Sequence, residues 1–279
     1  MKTIDEVDLM DDIFMNLVAS DPDVGEDFCK ILLSVLLQRK IEKVNVHVQR
    51  MLPGPGMDIR GIRLDVEVEE LLSDDNTVAN IYDIEPHNGA YDHIGKMLRF
   101  RQARIDSRYM KSGDNDFSHL PNLYMLLISD KDYFGKDYMM YTFRNRCVES
   151  PDLYYDDGLC FLYFYTMGTR GGSESIQNML KYMQNSKVNS AVDDATRELD
   201  KYVSNVRRDP EIRGNYMTFG DRIDWEKKIS HDEGLKEGRQ EGMNILADAI
   251  SRLRNGSTVE ELVKEGIDRD VAEMAESCK

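Results

Sequence analysis

Residues 62–87 read IRLDVEVEELLSDDNTVANIYDIEPH, and this stretch organises the chain. Ile62, Leu64, Val66 and Val68 alternate with Arg63, Asp65, Glu67 and Glu69. Such a period of two marks a strand with one buried face. Ser73, Asp74, Asp75 and Asn76 are turn residues whose side chains bond their own backbone. The chain then returns as a second strand, with Asp83, Glu85 and His87 on one face. Two strands joined by a short turn pair antiparallel, which brings Asp65 near Glu85 and His87. Acids crowded beside a histidine are expensive unless something positive sits there, and a divalent metal is one answer. Acids on the exposed face of a hairpin are also commonly just solvated. Spacing alone puts solvated acids ahead of a metal.

The whole chain has 279 residues, 41% hydrophobic and 32% charged, with a net charge of −16. These values suit one sizeable globular core, or a core plus a small appendage. The charge argues against a generic, charge-driven nucleic-acid binder. An enzyme that meets a phosphate backbone over one local basic face stays open. No run reaches the eighteen or so apolar residues that a membrane span needs, so no membrane partner is expected. The first residues carry no basic-then-apolar signal segment. Cys29, Cys147, Cys160 and Cys278 are scattered, which fits free thiols and a cytoplasmic location better than disulfides or zinc.

Upstream of the hairpin, residues 8–20 and 26–38 have helical apolar spacing. Asp23 is placed to cap the second of these helices. Val44, Val46 and Val48 alternate with polar residues as a first strand, and Pro53-Gly54-Pro55-Gly56 breaks the chain. Downstream, residues 91–111 read as a helix whose Lys96, Arg99, Arg101, Arg104, Arg108 and Lys111 make it locally basic. A charge run alone is more often a solvated face. Its position directly after the acidic hairpin points toward a substrate-facing role. Residues 120–128 form a nearly continuous apolar run, the mark of a strand buried on both faces. Residues 138–143 and 158–166 are two further strands, and 175–184 and 192–207 are amphipathic helices.

The tail differs. Gly234, Gly238 and Gly242 recur every four residues among glutamates, either as a linker or as a helix with a glycine stripe for close contact. Each interior glycine costs about 1 kcal/mol against alanine. Residues 244–254 can be helical, Ser257 with Glu260 suggests a capping box, and Asp268 can cap a last short helix. The tail could serve homo-oligomerisation. The element order indicates an α/β chain with a central mixed β-sheet flanked by helices and a helical C-terminal appendage. The expected division is residues 1–230 and 231–279.

Magnesium prefers carboxylate oxygens and water, and one or two protein carboxylates hold it. Asp65 and Glu85 would suffice, and His87 could orient a water, act as base or ligate the ion. His47 and His119 show no such neighbours in the sequence and read as structural. No glycine-rich phosphate loop, nucleophile elbow or zinc spacing is evident.

Several short motifs occur in a particular order: Arg63-Leu64-Asp65-Val66, Tyr82-Asp83-Ile84-Glu85, then the helix from Leu98 to Ser107. Leu120-Pro121, Phe134-Gly135, Tyr141-Thr142-Phe143, Asp157-Gly158, Tyr216-Met217 and the Glu-Gly repeats follow. Together they resemble the transposase-associated branch of the PD-(D/E)XK nuclease superfamily, related to recombination-promoting nucleases. The likeness runs from roughly Asp11 to the end, and its specificity lies in order and spacing.

The resemblance implies a restriction-endonuclease-like core and cleavage of DNA phosphodiesters with Mg2+, or Mn2+, in mobile elements, recombination or defence. It puts the metal on Asp65 and Glu85. It makes Asp65, Glu85, His87 and Gln102 the catalytic set, with Lys96, Arg99, Arg101, Arg104 and Arg108 toward DNA. An acid from the early helices, Glu26 or Asp27, is the expected completing ligand. The family usually carries Glu-x-Gln or Glu-x-Lys, where this chain has Glu85-Pro86-His87. A neutral histidine can imitate the glutamine and a protonated one the lysine. The other implied outcome is an inactive nuclease-fold module for DNA or protein binding.

Overall fold

The computed structural model describes residues 3–52, 61–72, 76–89, 92–110, 112–113 and 115–278, with backbone alone for 219–237 and 240. The Pro53–Gly56 break, residues Ser73, Asp74 and Asp75 of the expected turn, and Lys111 lie outside these residues. The elements follow the expected order: α1 (Asp12–Ser20), α2 (Gly25–Leu37), β1 (Val44–Leu52), β2 (Ile62–Leu71), β3 (Val78–His87) and α3 (Ile94–Asp106). Then come β4 (Asn122–Ser129), β5 (Met140–Phe143), β6 (Leu159–Tyr165), α4 (Glu174–Gln184) and α5 (Asp194–Arg208). The helices α6 (Pro210–Arg254), α7 (Val259–Lys264) and α8 (Arg269–Ser277) end the chain.

The strands form one six-stranded mixed sheet in the order β1-β2-β3-β4-β6-β5. β1, β2 and β3 pair antiparallel, because short connections allow only that direction. β3 and β4 run parallel, since α3 carries the chain back across the sheet between them. The β2–β3 ladder runs from Leu71↔Val78 to Val66↔Ile84. Asp65 and Glu85 are therefore the first residues past its last pair, where the two strands part.

Helices cover the sheet. The α3 side chains Ile94, Leu98 and Ile105 pack with Ile81, Met125 and Leu127 in one cluster. The alternate residues Tyr82, Ile84, Leu126 and Ile128 are also buried. They belong to the other face, where Arg39 just beyond α2 reaches the Tyr82 hydroxyl. There α1 and α2 pack on the sheet, and α4 and α5 pack on α2.

This double cover corrects the reading of a hairpin with one solvated face. Asp65, Glu67 and Asp83 are all buried. The alternation of charge along β2 matches a helix carrying arginines, not water.

Several ends also differ from expectation. α3 starts at Ile94 and stops at Asp106, inside the expected 91–111. Asp23 does not cap α2: the Asp21 carboxylate accepts from the backbone N–H groups of Asp23 and Val24 instead. A capping box does precede α7, but it is Thr258 with Glu261, one residue later than Ser257 and Glu260. Asp268 does cap α8, accepting from the Asp270 N–H.

The chain divides into two units, Met1–Met217 and Thr218–Lys279. In the second, Ala249 and Leu253 of α6 pack with Val259 and Leu262 of α7 and with Ala272 and Ala275 of α8. The backbone stays helical through Gly234, Gly238 and Gly242, so that segment is not an irregular linker. A side chain at Gly238 or Gly242 would meet open space among the described residues. No described helix is long and apolar enough to cross a membrane. All four cysteines are free thiols.

Candidate metal centre

Where β2 and β3 part, a cleft of about 870 Å3 opens. Asp65, Glu85 and His87 line it, together with Asp11 and Asp12 from the start of α1 and Arg101 from α3. The strand register makes Asp65 and Glu85 neighbours across β2 and β3, and both line the cleft. Both are held above the usual carboxylate range. Burial is the main cause; Arg101 opposes it for both, Asp12 adds to it for Asp65, and the Asp65 and Asp83 charges add to it for Glu85.

Pro86 fits this geometry. It lies past the last β2–β3 pair, so its missing N–H removes no bond to β2. His87 ends β3, and burial lowers its pKa while Asp130 and Asp12 pull the other way. Its imidazole is therefore neutral near pH 7.

The positive charge beside these acids comes from α3. Arg101 Nε and Nη2 donate to the two Asp83 oxygens, each at 2.9 Å, and Nη1 donates to the Arg63 carbonyl at 3.2 Å. Nη2 also lies 2.6 Å from Glu85 Oε2. That oxygen nevertheless makes no hydrogen bond of good direction. The close approach is thus an ion pair more than a directed bond, because Asp83 fixes the fork of the guanidinium first.

In the turn just past the end of α3, Arg108 Nη1 donates to Glu67 at 2.8 Å, and Arg50 from β1 holds the other Glu67 oxygen. Glu67 has no exposed surface. Arg101 and Arg108 therefore serve the acids of the sheet, Arg101 buried and Arg108 half-buried. Lys96 and Arg99 are exposed, and Arg104 is half-buried. Gln102 turns to Asp106, donating to it at 3.1 Å, and does not line the cleft.

The early helices contribute differently from expectation. Asp27 pairs with Lys30 at 2.5 Å and, like Glu26, does not line the cleft. Asp12 is there instead. The expected helix over 8–20 put Asp11 and Asp12 inside it, whereas α1 starts at Asp12 and Asp11 caps it, accepting from Phe14 N–H at 2.9 Å.

His47 does have acidic neighbours. With Glu67 and Glu69 it forms a group whose ligand-capable atoms lie within 4.8 Å of one another. The cross-strand pair His47↔Glu67 explains this, since opposite residues share a face. Both Glu67 oxygens already hold arginines, so a cation there would have to displace two guanidiniums. His119 is exposed, with Asp116 3.2 Å away.

The donor set at Asp65 and Glu85 is oxygen only, which suits a hard divalent cation. A divalent cation there would offset the burial and mutual repulsion that hold both carboxylates above the usual range. Neither family models, nor curated proteins, nor solved structures yielded a match to this chain.

Proposed function

We propose that this chain is a metal-dependent endonuclease that hydrolyses DNA phosphodiesters, built on a restriction-endonuclease-like core. The observation that carries the reading is the Asp65–Glu85 pair, side by side on the wall of a cleft at the point where β2 and β3 separate. Three antiparallel strands followed by a helical crossover to a parallel strand support the same reading. So does the motif order that resembles the PD-(D/E)XK family, with its links to mobile elements, recombination and defence.

Asp65 and Glu85 would hold Mg2+ or Mn2+, with Asp12 near enough to add negative potential. Such an ion lowers the pKa of a bound water and stabilises charge on a phosphoryl group. The chain's own residues do the rest. Arg101 keeps Asp83 and Glu85 in place, and neutral His87 can accept a proton from, or orient, a water in the cleft. The exposed Lys96 and Arg99 offer local positive charge to a backbone in an otherwise acidic protein.

The test is plasmid DNA incubated with the protein and Mg2+ or Mn2+, beside a Glu85→Ala control. The reading expects nicking by the wild type alone. Absence of nicking, or equal nicking by both, removes it.

The second reading is an inactive nuclease-fold module for DNA or protein binding. The inward turn of Arg101 favours it, since a guanidinium already neutralises part of the acid cluster. It expects DNA binding, or none, that is indifferent to Mg2+ and to Asp65→Ala.

A further inference from the structure

The acids around the cleft are unequal in what they hold. Asp83 is buried and fully engaged by the Arg101 fork. Glu85 stands between that guanidinium, 2.6 Å from its Oε2, and Asp65 on the other side. Arg101 itself is buried, and the Arg63 carbonyl fixes it a third time. A guanidinium cannot lose its charge in a protein. We propose that Arg101 is the resident cation of this carboxylate cluster and stands where a second metal ion would sit, so that the cleft takes a single divalent cation at Asp65 and Glu85. The proposal rests on the metal-centre reading above.

A second divalent ion would need the Glu85 oxygen that Arg101 already faces at 2.6 Å. Asp83 lies fully buried under the Arg101 fork and does not line the cleft.

The experiment is Mn2+ titration of the full chain by calorimetry, for the wild type, Arg101→Gln, Arg101→Lys and Glu85→Gln. The wild type should bind one ion that Glu85→Gln loses, which separates this site from the His47 group. Arg101→Gln, with the positive charge gone, should bind a second ion or hold the first at least roughly tenfold more tightly. Arg101→Lys should behave like the wild type.

Two ions lost together in Glu85→Gln would overturn the proposal, as would an Arg101→Gln protein with unchanged count and affinity. If Arg101→Gln does not fold by circular dichroism, the wild-type count alone decides. Plasmid cleavage measured in parallel keeps the two readings apart. Cleavage with two ions bound rejects the Arg101 assignment alone. One ion bound without cleavage rejects the nuclease alone. A wild type that binds no ion rejects both.

Discussion

Arg101 and Glu85 stand 2.6 Å apart, one on a helix and the other on the strand that the helix covers. The same guanidinium grips Asp83 through both carboxylate oxygens. Removing one partner of such a buried pair costs about 3–5 kcal/mol, because it strands the other charge. The acids of this sheet are thus tolerated in the interior because arginines meet them.

The first prediction concerns pH. Burial pushes Glu85 from 4.5 up to about 9. The folded chain then keeps a proton across that window that the unfolded chain has released. Stability must fall as pH rises from about 4.5 to about 9. Glu85→Gln cannot ionise, so its melting temperature in metal-free buffer should fall less steeply between pH 5 and pH 8.5. Parallel curves for the two proteins would show that Glu85 titrates normally.

A second prediction separates Arg99 of α3 from Arg108 just beyond its end. Arg108→Met leaves buried Glu67 with Arg50 as its ion-pair partner, and should cost about 2 kcal/mol in denaturant melts. Arg99→Ala removes an exposed charge and should change stability by less than about 0.5 kcal/mol. On DNA, Arg99→Ala should reduce the slope of log affinity against log salt by about 1. If Arg108→Met weakens DNA binding but not the fold, Arg108 belongs with the DNA contacts after all.

His87 supplies the third. Its imidazole is held neutral, so a glutamine can take its place. His87→Gln should keep metal-dependent nicking within about tenfold, whereas His87→Ala should lose about a hundredfold or more. A glutamine variant as poor as the alanine one would mean that proton transfer through the ring is required.

The fourth tests how α1 is aimed at the cleft. A Cβ at Gly25 would lie 2.3 Å from the Ala19 carbonyl oxygen, so α2 can start there only with glycine. Gly25→Ala should cost about 1–3 kcal/mol as the backbone shifts. Because α1 carries Asp11 and Asp12 into the cleft, nicking should fall as well. Unchanged melting would show that the corner relaxes freely.

Much of this was legible in residue order. Period-two alternation and a short turn set the β2–β3 register, and parity then forces Asp65 and Glu85 onto one face. The run of residues 120–128 read as a doubly buried strand, and β4, Asn122–Ser129, lies at the parallel centre of the sheet. Other features were not legible. Asp12 sits in the first turn of α1, where an acid is common for the helix alone, so nothing local marks it as part of the cleft. The α7 capping box admitted two frames, Ser257 with Glu260 or Thr258 with Glu261, and local pattern could not choose between them.

The sequence by itself determined the α/β element order, the facing of Asp65 and Glu85, and the break that Pro86 makes at the strand end, because backbone geometry and spacing are local. Only the tertiary structure decided what lies over that acidic face. Arg101 points inward because α3 packs on the sheet with Ile94, Leu98 and Ile105 beneath it, and its rotation about its axis is set by that packing; Arg108 follows in the turn just past the helix end. A charge pattern along a helix does not say which way the helix will roll.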